Sequence, residues 1–312
     1  MLNPETEFPA RFIWLDGKPV PWADANIHVA SHGILYGTAV FEGQRAYETD
    51  KGTALFRFNA HYDRHVHSAE GTDIEVPSRE IWKEAHFEVL EANGLKSGYL
   101  RPVSARGVRK PPFNLYFGAK KITGTHNYII AIFFEYGHSE ARVVVVNTSR
   151  PSRHSMDLSK KINGNYFSSC EATTEAVRRG YDEALQKDGT ENKWIAEGPG
   201  YNFVMVDNGR LVTPPKEIVL SGITLDTVID IAKLIGIETE RRYFTVDDLL
   251  KGASEKETFF CGTASEIKPI LKINDVTIGS GRPGPLTQEL QRIFKQVIEG
   301  KHSFSKDWLE YR

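Results

Sequence analysis

Cysteine is scarce in this 312-residue chain: Cys170 and Cys261 stand far apart without a Cys-x-x-Cys spacing. That argues against a disulfide framework or a cysteine zinc site, and it suggests a reducing compartment. Long apolar runs are missing as well, since no window approaches eighteen apolar residues, so no membrane-spanning helix is expected. The first ten residues carry prolines and acids where a secretory signal needs basic residues and an apolar run, and a cytoplasmic location is expected. An excess of one charge is lacking too. Lys+Arg total 39 against 41 Asp+Glu, spread along the chain, which leaves no electrostatic footprint for nucleic acid or anionic lipid and makes small molecules the expected partners. No Gly-x-Ser-x-Gly or Walker sequence occurs, and Gly279-Ser280-Gly281 lacks the βαβ context of a dinucleotide fingerprint. There is no internal repeat and no low-complexity segment.

What is present reads as two α+β lobes. Phe12-Ile13-Trp14-Leu15, Asp16-Gly17 and Lys18-Pro19-Val20 predict a hairpin, because Asp-Gly tolerates the positive φ of a type I′ turn. Residues 54–58 predict a strand and 59–72 a helix. Residues 78–93 predict a second helix, capped by Ser78 and stopped at Asn93-Gly94. Strands are expected at 99–105 and 128–134. The polar stretch 135–140 before the apolar run 143–146 places the boundary: a small domain over 1–134, an interdomain loop at 135–141 and a large domain over 142–312. In the large domain Leu225, Val228, Ile229, Ala232 and Ile235 share one helical face, and Leu286, Leu290, Ile293 and Val297 share another.

Lys161 is the candidate reactive residue. It precedes Gly164 and Asn165, which break the strand and let the backbone approach a ligand, and Tyr166, which offers a hydroxyl. A lysine so placed can form a Schiff base with an aldehyde cofactor. Lys160 is its rival, and strand alternation would point it to the opposite face. Glu197 stands before the turn Gly198-Pro199-Gly200, either as a solvated turn residue or as a carboxylate for a pyridinium nitrogen. Thr224 is a good cap for the helix that follows Ser221-Gly222-Ile223, a helix start able to hold an anion, and Arg57 at a strand end could supply a guanidinium fork for a phosphate. His61, His65 and His67 invite a metal reading. No carboxylate at matching spacing completes the set, so a solvated helix face explains them and no metal is expected.

In this order, these pieces resemble the branched-chain amino-acid aminotransferases, members of the fold-type IV (class IV aminotransferase) pyridoxal-phosphate enzymes. The resemblance runs from Phe12 to about Phe294. Its most specific stretches are HGILYGTAVFEG at 32–43, the Lys161 segment, residues 197–202, residues 222–224 and GTASEI at 262–267. It implies a small N-terminal α/β lobe and a larger C-terminal lobe with a barrel-like sheet. It further implies pyridoxal 5'-phosphate as cofactor, a homodimer or larger homo-oligomer, and ping-pong transfer of the amino group of leucine, isoleucine or valine to 2-oxoglutarate. Lys161 would be the Schiff-base lysine and proton shuttle, Glu197 the partner of the pyridine nitrogen and Tyr166 the donor to the ring oxygen. Arg57, Gly222, Ile223, Thr224 and Thr263 would hold the phosphate. Tyr99 and the turn Thr263-Ala264 would accept the α-carboxylate, and Arg101 the side-chain carboxylate of glutamate. Phe41 and Tyr36, the latter from or near the neighbouring subunit, would line the side-chain pocket.

Two departures bear on the substrate. Tyr201 stands where branched-chain enzymes carry a second acid, and Ala105-Arg106-Gly107 resembles the Thr-Arg-Gly of D-amino-acid and (R)-amine transaminases. Arg109 offers a carboxylate trap or a solvated cation on a loop. The alternatives are therefore an (R)-amine or D-amino-acid transaminase, with Arg106, Arg109 and Tyr201 at the substrate, or a lyase such as aminodeoxychorismate lyase.

Overall fold

The computed structural model describes residues 10–108, 124–133 and 140–312. They divide into two compact units. The first holds the described residues up to 133 together with Lys160–Gly164 and Ile298–Arg312, and the second holds residues 140–159 and Asn165–Val297. The single cut expected at 135–141 does not capture this division, because two later segments return to the first unit. Ile162 bridges Val40, and the C-terminal strand Leu309–Tyr311 pairs with residues 54–56, contacts between residues too distant in sequence to leave a local signal. Most of the expected loop 135–141 lies outside the described residues.

In the first unit, β1 (Phe12–Leu15) and β2 (Lys18–Pro21) form the expected hairpin, with Asp16 at φ 47° and Gly17 at φ 108°. The short helix α1 (His32–Tyr36) leads to β3 (Ala39–Phe41), β4 (Gln44–Thr49) and β5 (Gly52–Phe56). Helices α2 (Phe58–Ala69) and α3 (Arg79–Ala92) follow, then β6 (Gly98–Arg106) and β7 (Thr125–Ile132). The antiparallel sheet runs from the C-terminal strand through β5, β4, β6, β7 and β1 to β2, with β3 also on β6. Ser78 caps α3 by accepting the Ile81 N–H, as expected. Phe58, Trp82 and Leu90 from the helices bury against Trp14, Leu55, Leu100 and Ile129 from the strands. Two of the three histidines of α2 depart from the solvated-face reading: His61 is 2% and His65 0% exposed, whereas His67 keeps a solvated side chain. Glu42 on one side and Ser104 on the other satisfy a nitrogen of each ring, which is what permits the burial. Among the described residues no group of three His, Cys, Asp or Glu side chains is placed to hold a metal ion, and no helix is long and apolar enough to cross a membrane.

The second unit contains β8 (Ala141–Val145), α4 (Phe167–Arg178), β9 (Glu183–Leu185), β10 (Glu197–Gly198), β11 (Tyr201–Asp207) and β12 (Arg210–Thr213). Then come α5 (Ile223–Leu234), β13 (Thr239–Arg241), α6 (Val246–Leu250), β14 (Glu257–Gly262), β15 (Glu266–Ile273), β16 (Val276–Thr277) and α7 (Pro285–Ile298). The sheet order is β13-β12-β11-β14-β15-β8-β9, with β10 on β11. Gln186 N–H donates to Glu197 O at 3.0 Å and Ala196 N–H to Gln186 O at 3.0 Å, joining the end of β9 to β10. Strands β11, β14, β15, β8, β9 and β10 thereby close into the barrel-like sheet that was expected. Leu185, Ile195, Phe203, Met205, Phe260, Ile270 and Ile273 form one of its apolar clusters.

Candidate active site

Lys161 is fixed through its backbone. Its N–H donates to the hydroxyl of Ser68 on α2 at 2.9 Å, and its carbonyl accepts the N–H of Phe41 on β3 at 3.1 Å. Gly37, at φ 65°, leaves room for this segment, since a Cβ there would meet Gly164 Cα at 3.3 Å. Lys161 directly precedes an isolated bridge and a 3-10 turn, Asn163–Tyr166, so it lies outside any extended strand. The two lysines differ in setting: Lys160 Nζ donates to Glu70 O at 2.6 Å, whereas Lys161 Nζ stands 4.6 Å from the Phe41 ring centroid.

The same ring carries a second cation. Arg101 Cζ is 4.7 Å from it, and Arg101 donates to the Tyr99 hydroxyl from Nη2 at 2.6 Å and Nε at 3.2 Å. Tyr99 holds this position only because residue 43 is glycine, where a Cβ would lie 2.5 Å from the hydroxyl oxygen. Phe41, Tyr99, Arg101 and Lys161 are thus one cluster. Tyr36 packs edge-on against His32, with centroids 4.6 Å apart, and His32 Nδ1 pairs with Thr38 Oγ1 at 2.6 Å. Arg57 sits just past β5 at the N-cap of α2 with φ 54°, a conformation rare outside glycine, and its guanidinium stacks 4.8 Å from the Trp308 ring centroid.

In the second unit Glu197 is buried in the β10–β11 hairpin, not solvated on a turn. Its carboxylate pairs with Arg150 Nη2 at 2.9 Å, and it accepts Asn202 Nδ2 at 2.9 Å and the Leu220 N–H at 3.1 Å. Gly189 presses on Arg150, since a Cβ would fall 1.9 Å from the Arg150 carbonyl oxygen. Helix α5 starts at Ile223 with Gly222 as its N-cap and no side-chain cap. Thr224 therefore stands inside the first turn, two positions past the capping residue. The reason is close packing: a Cβ at residue 222 would lie 1.7 Å from Asn202 Oδ1, which excludes any larger capping residue. Thr263 and Ala264 form the turn between β14 and β15, closed by Gly262 opposite Glu266 at φ 54°. Ser265 Oγ in that turn is buried and makes no hydrogen bond among the described residues. Tyr166 ends the 3-10 turn before α4 and is half-buried.

Two candidates for substrate selection are otherwise engaged. Tyr201 pairs across the hairpin with Gly198, whereas Glu197 pairs with Asn202, so Tyr201 faces away from the Glu197 side. It stacks on Phe260 of the barrel at 5.4 Å. Arg106 is buried, and its Nε donates to the Thr72 carbonyl. Arg109 lies outside the described residues.

One polar group escaped the residue-by-residue reading. Glu42, 1% exposed, accepts Arg64 Nε and Nη2, both at 2.7 Å, and His61 Nδ1 at 2.8 Å. Burial alone would raise its carboxyl, but the Arg64 charge and the bonds from Arg64 and His61 outweigh this and hold it well below the usual carboxylate range. His61 is pushed down by burial, with the charges of Arg64 and Lys161 acting in the same direction and Glu42 opposing them. The available signal was Glu42 within the specific run 32–43 together with a histidine and an arginine three residues apart on α2.

Residues 39–273 match the family model described as amino-transferase class IV. The branched-chain-amino-acid aminotransferase of Pseudomonas aeruginosa is 34% identical over 309 residues, covering 95% of this chain and 95% of that protein. Among solved structures, the branched-chain aminotransferase of the thermophilic archaeon Thermoproteus uzoniensis with norvaline is 34% identical with a TM-score of 0.87, covering 96% of this chain and 98% of that one. A T.th. branched-chain amino acid aminotransferase with pyridoxamine 5'-phosphate is 35% identical with a TM-score of 0.89, covering 97% of this chain and 98% of that one. On its sequence and its fold, this chain belongs to the class IV amino-transferases.

Proposed function

We propose that the protein is a pyridoxal 5'-phosphate-dependent branched-chain aminotransferase, moving the amino group of L-leucine, L-isoleucine or L-valine to 2-oxoglutarate in a ping-pong cycle. The carrying observation is the Phe41 ring with Lys161 Nζ at 4.6 Å and Arg101 Cζ at 4.7 Å, a primary amine and a guanidinium against one aromatic wall. The residues also fit the cofactor. Glu197 is a buried carboxylate ringed by donors, the first turn of α5 has no side-chain cap, and Ser265 Oγ is a buried hydroxyl without a partner among the described residues.

When bound, the cofactor supplies an aldehyde for an amine and a ring that accepts electrons from the substrate Cα. The chain supplies the remainder. Lys161 Nζ anchors the cofactor, takes the proton that leaves Cα and returns it later in the cycle. Glu197 keeps the pyridine nitrogen protonated, and the Tyr166 hydroxyl donates to the ring oxygen. Arg57, Thr263 and the backbone at Gly222, Ile223 and Thr224 hold the phosphate. Tyr99 and the Thr263-Ala264 turn receive the α-carboxylate, Arg101 the side-chain carboxylate of glutamate, and Phe41 with Tyr36 the branched side chain. The working form is a homodimer or larger homo-oligomer in the cytoplasm, with amino acids and 2-oxo acids as its partners.

Among the described residues no observation favours the (R)-amine or D-amino-acid reading: Tyr201 stacks on Phe260 and Arg106 donates to the Thr72 carbonyl. The test is a donor screen at fixed 2-oxoglutarate. Glutamate formation with L-leucine, L-isoleucine or L-valine supports the proposal. Turnover of D-alanine or (R)-1-phenylethylamine alone, or pyruvate release from aminodeoxychorismate without an amino acceptor, would replace it with one of the alternatives.

A further inference from the structure

Helix α2 turns one stripe, His61, Arg64 and Ser68, toward the Lys161 segment at steps of three and four residues. Ser68, fully buried, holds the Lys161 N–H, while β3 holds its carbonyl through the Phe41 N–H. The residue after Phe41 is Glu42, whose own N–H donates to Pro102 O at 2.9 Å and whose carboxylate binds Arg64 and His61. The two elements that grip the lysine backbone are therefore tied to each other by this one polar group.

Its burial is deep: Glu42 and Arg64 are 1% and 11% exposed, and His61 is 2% exposed. A buried ion pair is a poor source of stability, because apolar side chains of similar volume commonly do as well. Its charge is the more informative property. The Glu42 anion and the Arg64 cation cancel, and burial keeps His61 neutral, so the group adds no net charge beside the lysine.

We propose that Glu42 and Arg64 are positioning residues for Lys161, and that their balanced charges set how readily the lysine nitrogen holds its proton once joined to the cofactor. This rests on the reading of Lys161 as the cofactor-binding lysine. The substitutions leave in place Arg101 and Tyr99 across the Phe41 ring, Lys160, which is bound to Glu70 O, and the Tyr166 hydroxyl.

The experiment titrates the absorbance of the lysine–cofactor chromophore against pH in purified holoenzymes. Glu42→Gln removes the anion paired with the Arg64 cation, which disfavours the protonated nitrogen and lowers the midpoint by about one pH unit. Glu42→Asp, which keeps the charge, stays near the wild-type midpoint, and the double variant Glu42→Gln/Arg64→Met returns toward it. No shift in Glu42→Gln, or an equal shift in the double variant, overturns the proposal. Should Glu42→Gln fail to fold, Arg64→Met decides: with the anion kept and the cation gone the midpoint must rise, and a fall or no change overturns the proposal. Failure of the underlying reading looks different, because a wild-type chromophore that persists in Lys161→Ala would show that another residue binds the cofactor.

Discussion

Arg150 Nη2 stands 2.9 Å from Glu197 Oε1, with both side chains only 5% exposed. In such a pair each charge compensates the other's desolvation. Removing the arginine alone leaves the buried anion without this counter-charge. Arg150→Met should cost about 3–5 kcal/mol, read as a lower denaturation midpoint in urea. The double variant Arg150→Met/Glu197→Gln should recover most of that stability while remaining at least about 100-fold slower than wild type, since the pyridine nitrogen has lost its charged partner. Equal stability of wild type and Arg150→Met would contradict this account.

Gly43→Ala places a Cβ 2.5 Å from the Tyr99 hydroxyl oxygen and should displace that side chain from Arg101. A shift of this size in a substrate-positioning group is expected to lower kcat/KM about 10- to 100-fold. The lysine–cofactor absorbance should stay in place, because Lys161 is held through Ser68 and Phe41. Steady-state kinetics with L-leucine, alongside the spectrum, check both halves.

Arg106→Gln removes a buried bond to the Thr72 carbonyl and should cost about 1 kcal/mol of stability. It should leave the preference for L over D donors unchanged. A gain of activity on D-alanine, or loss of 2-oxoglutarate turnover with stability intact, would return Arg106 to the substrate.

Burial pushes His65 down to about 4 and His86 down to about 3 from their ordinary value near 6.5. Below pH 6.5 the unfolded chain takes up protons that these folded histidines refuse. Their contribution to stability is therefore complete above pH 6.5 and declines as pH falls toward 4 and then 3. Urea midpoints measured at pH 7, 5.5 and 4.5 should fall in that order, and His86→Gln should flatten the slope. An unchanged slope in that variant would show that other groups carry the acid sensitivity.

Local chemistry was legible in the sequence where the cause was itself local. Asp16-Gly17 announced its turn, Ser78 its cap, and the 32–43 run together with the Lys161 segment announced the family. Contacts between distant segments were not legible. The barrel seam through Gln186 and the pairing of Leu309 with Phe56 join residues whose own sequences say nothing of each other. His61 and His65 lie one helical turn apart, a spacing that a solvated face and a buried face share; only Glu42 and Ser104, on other elements, decide between them. Thr224 is a better capping residue than Gly222 in isolation, and the Asn202 side chain overrides that preference.

The assignment of Lys161 as the amine through which the cofactor and the substrate exchange is a proposal. It is tested most directly by mixing holoenzyme with excess L-leucine and no acceptor while following the lysine–cofactor absorbance and the keto acid released. Wild type and Lys160→Ala are expected to lose the absorbance as they release 4-methyl-2-oxopentanoate in proportion to enzyme, and Lys161→Ala to show neither change. Release of that keto acid by Lys161→Ala at the wild-type rate would contradict it.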